Sequence, residues 1–223
     1  MNDDYAAESD RQDLITNPSP RCACILVLDT SGSMSGIKIQ QLNEGIRQFL
    51  SEVQNDEIAR FSVELGVITA GGIVRDELAV TPVHAIESVK DFNANGGTPL
   101  GGAVARALEM LDSRKASYKS AGVSYYQPWL VIISDGIPTD AWDQAADQAK
   151  SLADAKKLVV LPIGVDHADL AVLTRFSNRP AKQLAGLKFR EFFQWLSASM
   201  QRVSGSTPGT SVALPSTAGW DSI

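Results

Sequence analysis

Residues 25–28, Ile-Leu-Val-Leu, form an unbroken apolar run that stops at Asp29 and gives way to Thr-Ser-Gly-Ser-Met-Ser-Gly. A run that is apolar at every position has no polar face to offer water. It fits a strand covered on both sides, as inside a parallel sheet. After Gly36, Ile39, Leu42, Ile46, Phe49 and Leu50 recur at helical spacing. Asp29, Ser31 and Ser33 therefore occupy a strand-to-helix loop at the carboxyl end of a strand, where open α/β sheets place their ligands. The atoms they offer are hard oxygens, with no imidazole or thiol among them. That set suits Mg²⁺, or alternatively Mn²⁺ or Ca²⁺, rather than Zn²⁺. Asp and Ser after a strand also serve as plain turn and N-cap chemistry, so the reading depends on the rest of the chain.

The same pattern recurs downstream. Residues 61–69 read as a second strand, with Ala70-Gly71-Gly72 as its turn, and residues 73–80 follow at hairpin spacing as an antiparallel edge strand. Gly96-Gly97-Thr98-Pro99 precedes a small-residue helix over 103–111, with Thr98 placed as its N-cap. Residues 113–127 are polar, basic and Gly-interrupted, and read as an exposed loop. Trp129-Leu-Val-Ile-Ile is another apolar strand and ends in Ser134-Asp135-Gly136; a helix over 141–155 follows. A buried strand at 158–165, a short helix at 169–176, a last strand at 181–184 and an amphipathic helix at 188–203 complete the pattern. Buried strands alternating with helices predict an α/β fold: a doubly wound, mostly parallel central sheet with one antiparallel edge strand and helices on both faces. The expected organisation is a lead-in over 1–20, one domain over 21–203 and a flexible Ser/Thr/Gly/Pro tail over 204–223.

Composition narrows the function. The net charge is −6 and no dense Lys/Arg run occurs, which argues against nucleic acid as a partner. No apolar run approaches the roughly 20 residues that span a bilayer. Cys22 and Cys24 lie two apart on one strand and face the same way, where a bridge would strain an extended backbone. They read as small, buried, reduced thiols of a cytoplasmic protein.

If the strand ending at Ser134 lies beside the one ending at Asp29, the two carboxylates Asp29 and Asp135 emerge together. They repel unless a cation intervenes. Asp29-x-Ser31-x-Ser33, the later Thr98 and the later Asp135 together resemble the metal-ion-dependent adhesion site of von Willebrand factor A domains. The resemblance covers roughly residues 21–203. It implies that Ser31, Ser33 and Thr98 bind a metal directly, and that Asp29 and Asp135 bind it directly or through water. Gly-Gly-Thr-Pro-Leu-Gly and Ser-Asp-Gly-x-Pro-Thr-Asp look most like the TerY group of that family. That likeness implies a cytoplasmic role in tellurite resistance and stress response, with a Ser/Thr kinase and a PPM-type phosphatase as partners and tail hydroxyls open to phosphorylation.

The expected mode is binding rather than catalysis. Hydroxyls and carboxylates leave an open metal position that a partner's acidic side chain fills, on a face rimmed by Met34, Ile137, Asp140 and the 113–127 stretch, with Met34 fitting a place in the core equally. Two alternatives use the same residues. One is an accessory subunit of an AAA-type ATPase. The other is a haloacid-dehalogenase-like phosphatase with Asp29 as nucleophile, which wants a second acid where Ser31 stands. His84 and His167 have no Gly-x-Ser-x-Gly elbow to serve.

Overall fold

The computed structural model describes residues 12–222. At its centre is a seven-stranded sheet in the order β3-β2-β1-β4-β5-β6-β7. The strands are β1 (Cys22–Asp29), β2 (Val63–Gly71), β3 (Ile73–Pro82), β4 (Trp129–Ser134), β5 (Val159–Gly164), β6 (Lys182–Leu184) and β7 (Asp221–Ser222). β1 lies parallel between β2 and β4, and β5 and β6 continue in the same sense.

Every residue of β1, β2 and β4 is buried. Because side chains alternate across a strand, Cys22, Cys24, Leu26 and Leu28 join one core and Ala23, Ile25 and Val27 the other. The first core is covered by α1 (Ile37–Asn55) and α6 (Phe189–Ser204), the second by α3 (Leu100–Ala121), α4 (Asp143–Asp154) and α5 (Leu170–Thr174). A four-residue helix, α2 (Ala59–Ser62), leads into β2. Each fully buried Val, Leu or Ile contributes about 1.5–3 kcal/mol of transfer free energy. The apolar runs therefore dictate this layering. β3 is the antiparallel edge that the hairpin spacing predicts, turned by Gly72 at φ 68°.

Three expectations are corrected. The 113–127 stretch is mostly not a loop: α3 runs on through Ala121 and ends at Gly122, φ 69°. Two of its polar residues there, Arg114 and Tyr118, are buried and form an inner face. The Arg114 guanidinium donates to both oxygens of the buried Glu64, at 2.6 and 2.8 Å, and the Tyr118 hydroxyl donates to Glu64 at 2.5 Å. This stretch also lies at the end of the sheet away from Asp29, since Ser124 and Tyr126 bond to Arg21 ahead of β1.

Of the expected flexible tail over 204–223, Ser204 closes α6, residue 223 lies outside the described residues, and residues 205–222 lie packed along α6. Trp220 is buried against Phe192 and Trp195, with ring centroids 5.0 and 5.4 Å away. The Trp195 indole N–H donates to the Pro215 carbonyl at 2.9 Å, and the Tyr126 hydroxyl to that of Ser206 at 2.7 Å. This segment also supplies β7, so the sheet has a second antiparallel edge.

Of the lead-in, residues 1–11 lie outside the described residues. Residues 12–16 are helical, with Leu14 buried and Asp13 paired to Arg21 at 2.8 Å. Cys22 and Cys24 are unbridged and buried, as expected.

Candidate metal centre

The register Leu28↔Ile133 between β1 and β4 sets Asp29 beside Ser134, with Asp135 next along. The strand order also changes direction here, since β2 lies to one side of β1 and β4 to the other. A crevice opens at such a point, and it is lined by the predicted carboxylates.

Hydrogen bonds fix each side chain. Asp29 Oδ1 accepts from the Ser31 backbone N–H at 2.9 Å, and Oδ2 from the Ser134 hydroxyl at 2.6 Å. The Ser33 hydroxyl donates to Asp135 Oδ1 at 2.6 Å. Having one proton to give, Ser33 then accepts from Ser31 across 2.9 Å. The two carboxylates thus orient the hydroxyls and leave oxygen lone pairs turned away from the protons.

Thr98 is buried and reaches the site by a loop stitched to its neighbours. Gly32 N–H donates to the Gly96 carbonyl at 2.9 Å, Asn95 N–H to Thr30 at 2.7 Å and Gly72 N–H to Gly97 at 2.8 Å. Gly96 has φ 69°, and a Cβ there would stand 2.4 Å from the Gly72 Cα. Only glycine fits that approach. Thr98 is not the N-cap of α3: Pro99 takes that position and caps nothing through its side chain. Asp140 supplies the cap, and Thr139 grips Thr98 through N–H to Oγ1 at 3.0 Å and N–H to carbonyl at 2.9 Å. Sequence reasoning missed this clamp, although Pro-Thr-Asp after the strand was its signal.

The donor set fits a hard divalent cation. A Cβ added at Gly136 would lie 3.6 Å from Thr98 Oγ1 and 3.9 Å from Asp29 Oδ2, so this glycine leaves room between those oxygens. Burial holds the Asp29 carboxyl above its ordinary pKa; bonds from Ser134 and Ser31 pull it back, and the Asp135 charge adds to the rise. That mutual repulsion is what a cation relieves. Among the described residues no three His, Cys, Asp or Glu gather around a common point. A cation here therefore depends on the hydroxyls.

One partner was not foreseen. Lys38, in the first turn of α1, donates to Asp135 Oδ2 at 2.6 Å and pairs with Asp166 at 3.0 Å. Burial works against its charge, yet those carboxylates outweigh it and raise its pKa. Of the expected rim, Ile137 is exposed and Asp140 half-buried, while Met34 is fully buried in the core and forms no part of the surface. His167 is solvent-exposed and His84 stacks near Phe61, 5.4 Å between ring centroids, so neither reaches the site.

Residues 24–213 match the family model of the von Willebrand factor type A domain. Among curated proteins, the chain is 28% identical over 196 residues to inter-alpha-trypsin inhibitor heavy chain H4 of Sus scrofa. The match covers 80% of this chain and 20% of that protein. It is 32% identical over 120 residues to heavy chain 4 of Mus musculus, covering 52% of this chain and 12% of that protein. The chain thus spans a fifth or less of the length of these relatives. Among solved structures, it resembles the open conformation of the pilus adhesin SpaC of Lactobacillus rhamnosus GG (TM-score 0.66, 15% identity, 82% of this chain and 30% of that one). It also resembles a von Willebrand factor type A structure from Catenulispora acidiphila (0.62, 14%, 82% and 43%). A third neighbour is proximal thread matrix protein 1 of the mussel byssus, described with a zinc-occupied MIDAS motif (0.57, 13%, 82% and 48%). Seven-stranded topology, helical layers and the family match agree: this chain belongs to the von Willebrand factor type A domain family.

Proposed function

We propose that the domain is a metal-dependent protein-interaction module that binds a partner's carboxylate through a divalent cation. Ser31, Ser33 and Thr98 would hold the cation directly, with Asp29 and Asp135 binding it directly or through water. The observation that carries this reading is the convergence of these five residues, from three loops, at the crevice between β1 and β4. The cation would supply a positive charge with an open position for an acidic side chain. The all-oxygen donors favour Mg²⁺, with Mn²⁺ or Ca²⁺ as substitutes. The zinc-occupied motif of the byssus protein is the fold-level analogy for a cation at this edge of the sheet.

Binding fits the geometry better than catalysis. Asp29 is placed where a nucleophile would stand, but both its oxygens accept hydrogen bonds from Ser31 and Ser134. Among the described residues no helix is long and apolar enough to cross a membrane. A cytoplasmic stress-response setting of the tellurite-resistance type, with a Ser/Thr kinase and a PPM-type phosphatase as partners, rests on the sequence resemblance alone.

The test of the site is stabilisation by metal. A ligand that binds only the folded state raises the melting temperature with concentration. Mg²⁺ should raise that of wild type and leave Asp29→Ala unmoved. Equal shifts in both proteins, or none in either, would remove the site from the account.

A further inference from the structure

The Lys38 ammonium is unexplained by the metal reading. It sits at the second residue of α1, where the exposed N–H groups and the helix dipole disfavour positive charge. It is not needed to hold the helix onto the sheet, since Ile39, Leu42, Ile46 and Phe49 already bury that face. What it touches is the outer oxygen of Asp135, at 2.6 Å, and Asp166, at 3.0 Å. The other oxygen of Asp135 belongs to Ser33. Lys38 therefore neutralises one of the two carboxylates that a metal at this site would use.

We propose that Lys38 is a tethered cation that competes with the divalent metal for the charge of Asp135 and so sets the metal affinity of the site. This rests on the metal-binding reading above. Asp166 makes the competition reversible. Its backbone is held in the left-handed region, φ 57°, with its carbonyl accepting from the Gln183 side chain at 2.8 Å. It offers Lys38 a second carboxylate without any motion of α1, and the flexible four-carbon stem spans the difference. When a metal arrives, the ammonium gives up Asp135 and keeps its pairing with Asp166; when the metal leaves, it returns and caps the bare carboxylate. Lys38 is a positioning residue that acts through Asp135.

The residues directly behind metal ligands change affinity by about 10–100-fold when altered. Removing a competing positive charge should act in the opposite sense to removing a supporting one. The experiment is Mn²⁺ binding to the metal-stripped full chain, read as free Mn²⁺ by electron paramagnetic resonance, for wild type, Lys38→Met, Lys38→Arg, Asp166→Asn and Asp29→Ala. The expected result is about tenfold tighter binding for Lys38→Met, near-wild-type binding for Lys38→Arg, weaker binding for Asp166→Asn and none for Asp29→Ala. A second measurement uses unaltered protein: the rate at which an amine reagent labels Lys38, followed by mass spectrometry, should rise on saturation with Mn²⁺.

Wild type that binds Mn²⁺ and loses it in Asp29→Ala, with Lys38→Met no tighter and the Lys38 labelling rate unchanged, would overturn this inference and leave the metal site standing. Absence of Mn²⁺ binding in both wild type and Lys38→Met would overturn the metal reading and this inference together.

Discussion

Asp140, on the loop after β4, caps a helix that begins forty residues earlier in the chain: its two carboxylate oxygens accept the N–H groups of Gly101 and Gly102 at 3.0 and 2.7 Å. Those are donors that the first turn of α3 cannot satisfy internally. Together with Thr139, Asp140 locks the Thr98 loop against the loop that carries Asp135. The position of the third hydroxyl thus depends on a residue that never touches the metal site. Asp140→Ala should cost about 1–2 kcal/mol of stability, as lost caps do, measured by urea denaturation. It should also weaken metal binding while leaving Asp29 and Ser31 in place.

The same helix start tolerates no side chain. A Cβ on Gly101 would stand 2.5 Å from the Trp142 Cα and 2.7 Å from the Ala141 carbonyl, both backbone atoms that cannot swing aside. Alanine gains up to about 1 kcal/mol in helix propensity over glycine. Overpacking against fixed backbone costs about 1–3 kcal/mol, and the clash should win. Gly101→Ala should lower the melting temperature, and a rise would show that the loop yields.

At the far end of the sheet, Glu64 is fully buried among Arg114, Tyr118 and, at 3.8 Å, Arg21. Removing one partner of a buried pair leaves an uncompensated charge, at about 3–5 kcal/mol. Arg114→Met should therefore destabilise far more than a surface substitution. Pairing it with Glu64→Gln should recover part of the loss. A double variant no better than Arg114→Met would assign the cost to packing instead.

Burial pushes the Cys22 thiol up from 9.0 to about 12, with the Glu64 charge adding to the rise. Cys24 is raised further, first by burial and then by Cys22, and Tyr118 is raised well above its ordinary value, also by burial first. Each group holds its proton in the folded state when the unfolded chain would release it. The folded state is therefore fully favoured below the unfolded pKa values, and stability falls as pH rises above about 9. Native protein should leave both cysteines unreactive to a thiol reagent at pH 8, while urea-unfolded protein reacts at both. Labelling of the native state would mean that β1 opens readily.

Much of this architecture was legible because β1 and β4 are buried on both faces, which leaves apolar runs that no other element explains. The carboxylates were legible for the same reason: each ends such a run. Polar residues that do interior work were not. Arg114 and Tyr118 break the apolar period of α3 because they face Glu64, so the helix read as a loop. The 205–222 segment read as flexible because its few anchors, Val212, Leu214 and Trp220, are diluted among Ser, Thr and Gly. Lys38 looked like any solvated lysine of an amphipathic helix, since its partners Asp135 and Asp166 are distant in sequence. Met34, next to Ser33, fits rim and core equally in the sequence, and it points into the core.

The most direct measurement is a partner pull-down with wild type and Asp29→Ala, each in Mg²⁺ and in EDTA. Metal-bridged recognition requires partners that bind wild type in Mg²⁺ and are lost both in EDTA and with Asp29→Ala. Partners that remain bound in EDTA and to Asp29→Ala would contradict the account and move the interaction surface elsewhere on the domain.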